Sequence, residues 1–467
     1  VISMSTRANG RTGMGAVMGS KNLKAVVVRG KNKPAIANKE GLNDLARWGA
    51  KAAAGKGMAG FGKYGTPATC GANNAAGGLP TRNYQSGFFE EAKAIDGPTL
   101  YDTLLKGADE GKQDRYGRDT CYSCTIRCKR VVELEEGPYK LNPVYGGPEY
   151  ETLATFGSYC GVSDLAAVSY ANQLCNQYGM DTISCGATIA WAMECYQNGL
   201  FTAEDTGGIE LNFGNAAAMT QMVEMIAKRE GFGDTLALGS AQAAAKLGKG
   251  AEYLITSKGQ EAPAHMPQVK RGLGVIYAVN PFGADHESSE HDPAYERGFK
   301  YYKDRLAPLG LDKPQEKYAL NDEKVRFALL TQYTYSMLDS ANLCQFVYGP
   351  TWQLFDLEQT RDMLTYVTGW DVSIDELQQV GERRLNMMRV FNAREGIDRA
   401  QDKLPEKFFK VALKGGRSDG FKLNRDEFEA ALDSYYRQAG WDVETGLPTR
   451  SKLESLGLDW LAGELNL

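Results

Sequence analysis

Apolar residues recur at three- and four-residue intervals over most of the chain, the spacing that gives a helix one buried face. Asp164 to Tyr178 and Thr188 to Gln197 show it. So does Asn215 to Lys228, where Ala218, Met219, Met222, Met225 and Ile226 fall at helical spacing. Lys324 to Leu338 is a further helix. Ser373-Ile374-Asp375-Glu376 has a hydroxyl and a carboxylate placed to satisfy the first free N–H groups of a helix, and Leu377, Val380, Leu385, Met388 and Phe391 follow it. The exception comes early. Lys24-Ala25-Val26-Val27-Val28-Arg29-Gly30 is a β-branched run closed by glycine, which predicts a buried strand before the break at Lys31-Asn32-Lys33-Pro34. The pattern as a whole predicts a mainly α-helical body with a β-containing portion at or before its start.

At 467 residues the chain exceeds one core, and two or three domains are expected. No stretch of 18 or more apolar residues exists, which argues against a helical membrane span. A net charge of −5 argues against nucleic acid as the main partner, although a local basic patch could receive a small acidic carrier. The chain opens Val1-Ile2-Ser3, without Met or a signal-peptide pattern, and reads as a fragment or processed chain. Three of the nine cysteines sit within eight residues, which favours a metal centre in a reducing, cytoplasmic compartment over a disulfide framework.

Cys121-Tyr122-Ser123-Cys124-Thr125-Ile126-Arg127-Cys128 lets one loop supply three thiolates to a cuboidal iron-sulfur cluster. A zinc site would more often show a second C-x2-C pair, which is absent. On spacing alone the fourth ligand stays open among Cys70, Cys160, Cys175, Cys185, Cys195 and Cys344, with core thiols the default for the three in helical patterns.

Gly10 to Lys21 holds several glycines between Arg11 and Lys21. It could bare main-chain N–H groups to phosphate or form a tight turn feeding a strand. His286 follows a Pro-Phe-Gly break and is expected in a loop; Glu149-Tyr150-Glu151 opens an apolar run. A carboxylate and a histidine at a dry metal centre suit general-base and electrophilic roles, while each alone is more often a capping or surface group.

Several blocks together resemble the tungsten-containing aldehyde:ferredoxin oxidoreductase family. They are Gly10 to Val26, Gly78 to Asn83, Gly147 to Thr152, Gly179 to Ser184, Arg394-Glu395-Gly396, Asp402 to Pro405 and Gly440 to Thr449, in family order. The resemblance implies a remnant of a β-structured N-terminal domain over 1–32, then helical domains over 33–256 and 257–467. It implies a tungsten bis-pterin centre held by two D-x-x-G-L-[CD]-type motifs, here Asp181 to Gly186 and Asp339 to Cys344. Asp181, Asp339 and Leu343 would contact pterin. Ser184 and Asn342 stand where glycine is usual, and the first motif ends in Gly186. Arg11, Gly13, Gly15, Ala16 and Lys21 would approach the pterin phosphates and a bridging Mg2+. The resemblance also gives Cys121, Cys124, Cys128 and Cys344 as ligands of a [4Fe-4S] cluster, His286 as the active-site histidine, and Glu149 or Glu151 as the active-site carboxylate.

The activity so implied is oxidation of a small aldehyde to a carboxylic acid in an anaerobic setting. Electrons would leave to ferredoxin or an iron-sulfur subunit, and a homodimer is an accessible assembly. Two rivals stand beside it: the active-site subunit of a tungsten-dependent benzoyl-CoA reductase, with Cys185 as a metal-facing thiol, and a non-catalytic iron-sulfur electron-transfer protein.

Overall fold

The computed structural model describes residues 1–299 and 302–465, and the chain divides into two compact units. The first comprises Val1–Lys31, Lys56–Met266 and Pro405–Lys422; the second comprises Asn32–Gly55, Pro267–Leu404 and Leu423–Leu467.

The first unit is built around three helices: α1 (Leu165–Tyr178), α2 (Thr182–Gln197) and α3 (Ala216–Lys228). Each starts where a short polar side chain takes the first free N–H groups: Asp164 from Ala167, Asp181 from Ile183 and Ser184, and Asn215 from Ala218. α2 begins at Thr182, ahead of its apolar pattern, because Ser184 and Gly186 interrupt the hydrophobic signal without interrupting the helix. It is buried on all sides from Cys185 to Cys195. Gly186 permits that: a Cβ there would lie 2.8 Å from the Thr155 carbonyl carbon. The segment Pro405–Lys422 is fastened to this core by Lys407, whose Nζ lies 2.7 Å from both carboxylate oxygens of Glu194 and from Asn83 O. The only strands among the described residues are three short hairpins in this unit, β1 (Ile2–Ser3) with β2 (Arg7–Ala8), β3 (Arg118–Asp119) with β4 (Lys129–Arg130), and β5 (Thr256–Ser257) with β6 (Gln260–Glu261).

The second unit packs α4 (Arg271–Val279), α5 (Asp322–Ser340), α6 (Ile374–Arg394) and α7 (Arg425–Ala439). The capping box at Ser373 and Glu376 forms in both directions. α5 and α6 cross so closely that a Cβ at Gly381 would collide with the Tyr333 carbonyl. A buried polar girder completes the unit. Arg389 holds Asp402 through two hydrogen bonds of 3.0 and 2.8 Å, donates Nε–H to Gly446 O and lies over the Trp441 ring, while Tyr436 donates to the same carboxylate. Asp402 and Trp441 belong to two of the blocks that carried the family resemblance, and here their work is structural.

Two sequence expectations are corrected. Lys24–Gly30 is not a strand and not buried: Val26, Val27 and Val28 are 70%, 91% and 85% exposed. β-branched residues favour extended backbone, but a strand exists only when a neighbouring edge supplies the ladder, and no described strand lies beside this run. The preceding glycine-rich stretch feeds no strand either; Arg11–Gly13 forms a single turn and Met14–Ser20 a short helix. Among the described residues, no helix is long and apolar enough to cross a membrane.

Candidate active site

In the first unit, Glu149-Tyr150-Glu151 enters a short buried helical turn, and its two carboxylates meet opposite environments. Glu149 is about a third exposed, pairs with Arg7 at 2.9 Å and accepts from Thr66 Oγ1, which in turn receives Tyr150 N–H. Glu151 points inward. Its Oε2 accepts the Ala264 main-chain N–H at 2.7 Å, and its Oε1 lies 3.3 Å from His265 Nε2, both side chains being almost fully buried.

The segment that delivers Ala264 and His265 is held by three phenols. Tyr84 donates to Pro263 O, Tyr159 OH lies 3.0 Å from Ala262 O, and Tyr150 donates to Ala264 O at 2.7 Å. Burial pushes the Tyr84 and Tyr150 phenols well above the ordinary tyrosine range, so they remain protonated donors. Arg82, Asn83 and Tyr84 all adopt left-handed backbone, which turns Tyr84 inward. The Tyr150 ring also lies against His265, tilted at 49° with centroids 5.3 Å apart.

The glycine-rich turn and the first pterin motif meet in this unit. Arg11 Nε lies 3.3 Å from Asp181 Oδ2, and Arg11 donates to Glu261 O at 2.6 Å. Asp181 already caps α2 with both oxygens. Thr152 and Thr155 hydrogen-bond Thr182, tying this cap to the Glu151 turn. Gly13 takes φ +73° at the start of the helix Met14–Ser20, and Ala16 and Lys21 are exposed, while Gly15 is half-buried. Ser184 sits inside the first turn of α2, where no glycine is required.

Cys121, Cys124 and Cys128 lie on the loop between β3 and β4, exposed or half-buried. Ser123 and Arg127 take left-handed backbone, and Cys124 N–H closes a tight turn on Cys121 O. Of the open alternatives for a fourth ligand, Cys70 and Cys195 have thiols pushed up to about 12 by burial, a state that disfavours the thiolate a cluster needs. The Cys160 thiol is pushed up by burial, and that of Cys175 by its hydrogen bond to Cys185 and then by burial.

The remaining candidates lie in the second unit. His286 sits in a loop, as its Pro-Phe-Gly context predicts, with its side chain 14% exposed. Its main-chain carbonyl accepts from His291 Nε2 at 2.9 Å, and Lys270 Nζ lies 3.2 Å from His291 Nδ1. Asp339, half-exposed near the end of α5, pairs with Arg384 at 3.1 Å, yet partial desolvation holds its carboxyl above the usual range. Asn342 adopts φ +56°, a left-handed turn that asparagine tolerates in place of glycine. Leu343 packs on Met337, Leu338 and Leu377, leaving Cys344 exposed just beyond.

Sequence reasoning left the choice between Glu149 and Glu151 open and gave His265 no role. The only signal for His265 was its scarcity, as one of three histidines.

These donor sets fit a thiolate-held cluster and a polar, phosphate-bearing cofactor. The family model described as "Aldehyde ferredoxin oxidoreductase, domains 2 & 3" matches residues 43–458, and that for the N-terminal domain matches residues 1–30. A tungsten-containing aldehyde ferredoxin oxidoreductase of Pyrococcus horikoshii is 36% identical over 98% of this chain and 71% of its own length. The enzyme of the same name from Thermococcus kodakarensis is 35% identical over 97% and 69%. The WOR-like subunit of an aliphatic sulfonate oxidoreductase from Pyrococcus furiosus is 29% identical over 98% and 67%. Among solved structures, the active-site complex BamBC of benzoyl coenzyme A reductase superposes with a TM-score of 0.72 at 19% identity, over 97% of this chain and 70% of that one, which shows a shared fold. The chain belongs to the tungsten-containing aldehyde ferredoxin oxidoreductase family and is an oxidoreductase.

Proposed function

We propose that the protein oxidises an aldehyde to a carboxylic acid, with water supplying the oxygen and two electrons leaving singly through a [4Fe-4S] cluster to ferredoxin or an iron-sulfur subunit. The observation that carries this reading is the fixed carboxylate of Glu151: Ala264 N–H holds one oxygen and His265 stands at the other. A carboxylate oriented in this way, by a segment that three tyrosines clamp, is a general base for water or for the hydrated aldehyde. Glu149, paired with Arg7 and bonded to Thr66, holds the turn that presents it.

When bound, the tungsten bis-pterin group supplies the two-electron acceptor. Asp181, Asp339 and Leu343 would line the pterins, and Arg11, Gly13, Gly15, Ala16 and Lys21 would face their phosphates and a bridging Mg2+. His286, its main chain held by His291, would donate a hydrogen bond to the aldehyde oxygen as charge develops there. Cys121, Cys124, Cys128 and Cys344 would hold the cluster, and Cys344 is the one exposed thiol outside the loop.

The shared fold with a benzoyl coenzyme A reductase complex keeps a second reading in view. The sequence favours the first, because relatives named for aldehyde oxidation stand at 36% and 35% identity against 19%. Anaerobic holoenzyme given an aldehyde and oxidised viologen should reduce two viologens per acid formed. Inertness toward aldehydes, with benzoyl-CoA-dependent oxidation of reduced viologen, would transfer the assignment to ring reduction.

A further inference from the structure

Arg130 lies two residues beyond the last cysteine of the loop, on β4, and is 1% exposed. Its guanidinium turns inward, where NH1 donates to Lys63 O and NH2 to Gly62 O at 3.1 Å and Arg127 O at 2.5 Å. All of these acceptors are main-chain carbonyls, which solvate a cation without cancelling its charge. Its Nε finds no hydrogen-bond partner. Space for the group is made by Gly65, at φ +66°, where a Cβ would lie 2.7 Å from Cys128 O and 3.2 Å from Arg130 Nε. The ionisable groups near Arg130 are Glu149 and Cys128, of opposite sign, and Arg118 and Arg7, of like sign. An arginine side chain stays charged at neutral pH.

A buried cation is costly to desolvate, so its place beside a cysteine loop asks for a role. Carbonyl anchoring alone would be served by a neutral donor. A fixed positive charge in a low-dielectric setting stabilises whichever neighbouring state carries more negative charge, and an iron-sulfur cluster gains one negative charge on reduction.

We propose that Arg130 sets the reduction potential of the cluster held by Cys121, Cys124 and Cys128, raising it through a buried charge that Glu149 partly offsets. This rests on the reading of those thiols as cluster ligands. Arg130 is thus a tuning residue, acting on the electron's exit and not on the substrate.

The test is a potentiometric titration of the anaerobic holoenzyme, followed by the EPR signal of the reduced cluster. R130Q should shift the midpoint to more negative potential, R130K should restore most of the shift, and E149Q should move it in the opposite direction. If R130Q assembles no cluster, E149Q decides alone. A midpoint unchanged in E149Q and in whichever Arg130 variants assemble overturns the proposal while leaving the cluster assignment standing. A wild-type protein with neither iron nor the EPR signal overturns the cluster assignment itself.

Discussion

Oε1 of Glu151 lies 3.3 Å from Nε2 of His265, across 114 residues of chain, and the neighbouring Ala264 N–H holds the other oxygen. The carboxylate is thereby fixed in orientation in a nearly dry setting. A base so placed need not reorganise when it takes a proton, and that separates Glu151 from Glu149, which faces an arginine and solvent.

His286 is assigned the donor to the aldehyde oxygen. H286A should lower turnover ~10²–10⁴-fold, the range for a positioned acid or base, with tungsten and iron contents unchanged. Steady-state dye reduction beside metal analysis checks it; wild-type turnover would remove His286 from the chemistry.

C124S should strip iron from the protein while leaving far-ultraviolet circular dichroism intact, because the loop between β3 and β4 is held by its hairpin and by arginine contacts. Wild-type protein should hold about four irons per chain. Zinc in their place would return the loop to a structural site.

The Arg389–Asp402 pair is fully buried, and D402A leaves a guanidinium uncompensated, at a cost of about 3–5 kcal/mol. The exposed Lys410–Glu406 pair is the control: K410A should cost under about 1 kcal/mol. Thermal unfolding temperatures should fall sharply for the first and barely for the second.

Asp339 gives a pH signature. Partial desolvation raises its carboxyl above the ordinary value despite Arg384, so the folded state binds its proton more readily than the unfolded chain; with the side chain 46% exposed, solvent screening keeps the effect small. The corresponding stability is present below the unfolded value, near ~3.9, and is lost as pH rises through the raised folded value. D339N should therefore melt higher than wild type at neutral pH in cofactor-free protein, and the gap should close in acid. A gap that persists or grows in acid would contradict this.

Much of the scaffold was legible in the sequence because its signals are local. Asp164, Asn215 and Ser373 announce helix starts with their own side chains. What escaped depends on distant partners. The valines of 26–28 encode extended backbone but not the neighbour a strand needs. The shared grip of Tyr84, Tyr150 and Tyr159 on residues 262–264 exists only once the fold brings them together. Ala264 and His265, the partners that distinguish Glu151 from Glu149, lie more than a hundred residues away, so no local pattern could separate the two carboxylates.

The central claim, that Glu151 is the base for aldehyde oxidation, is tested most directly by comparing E151Q with E149Q at matched tungsten and iron content. Aldehyde-dependent viologen reduction should fall ~10²–10⁴-fold in E151Q and far less in E149Q. Equal losses in the two, or near-wild-type turnover in E151Q, would contradict the account.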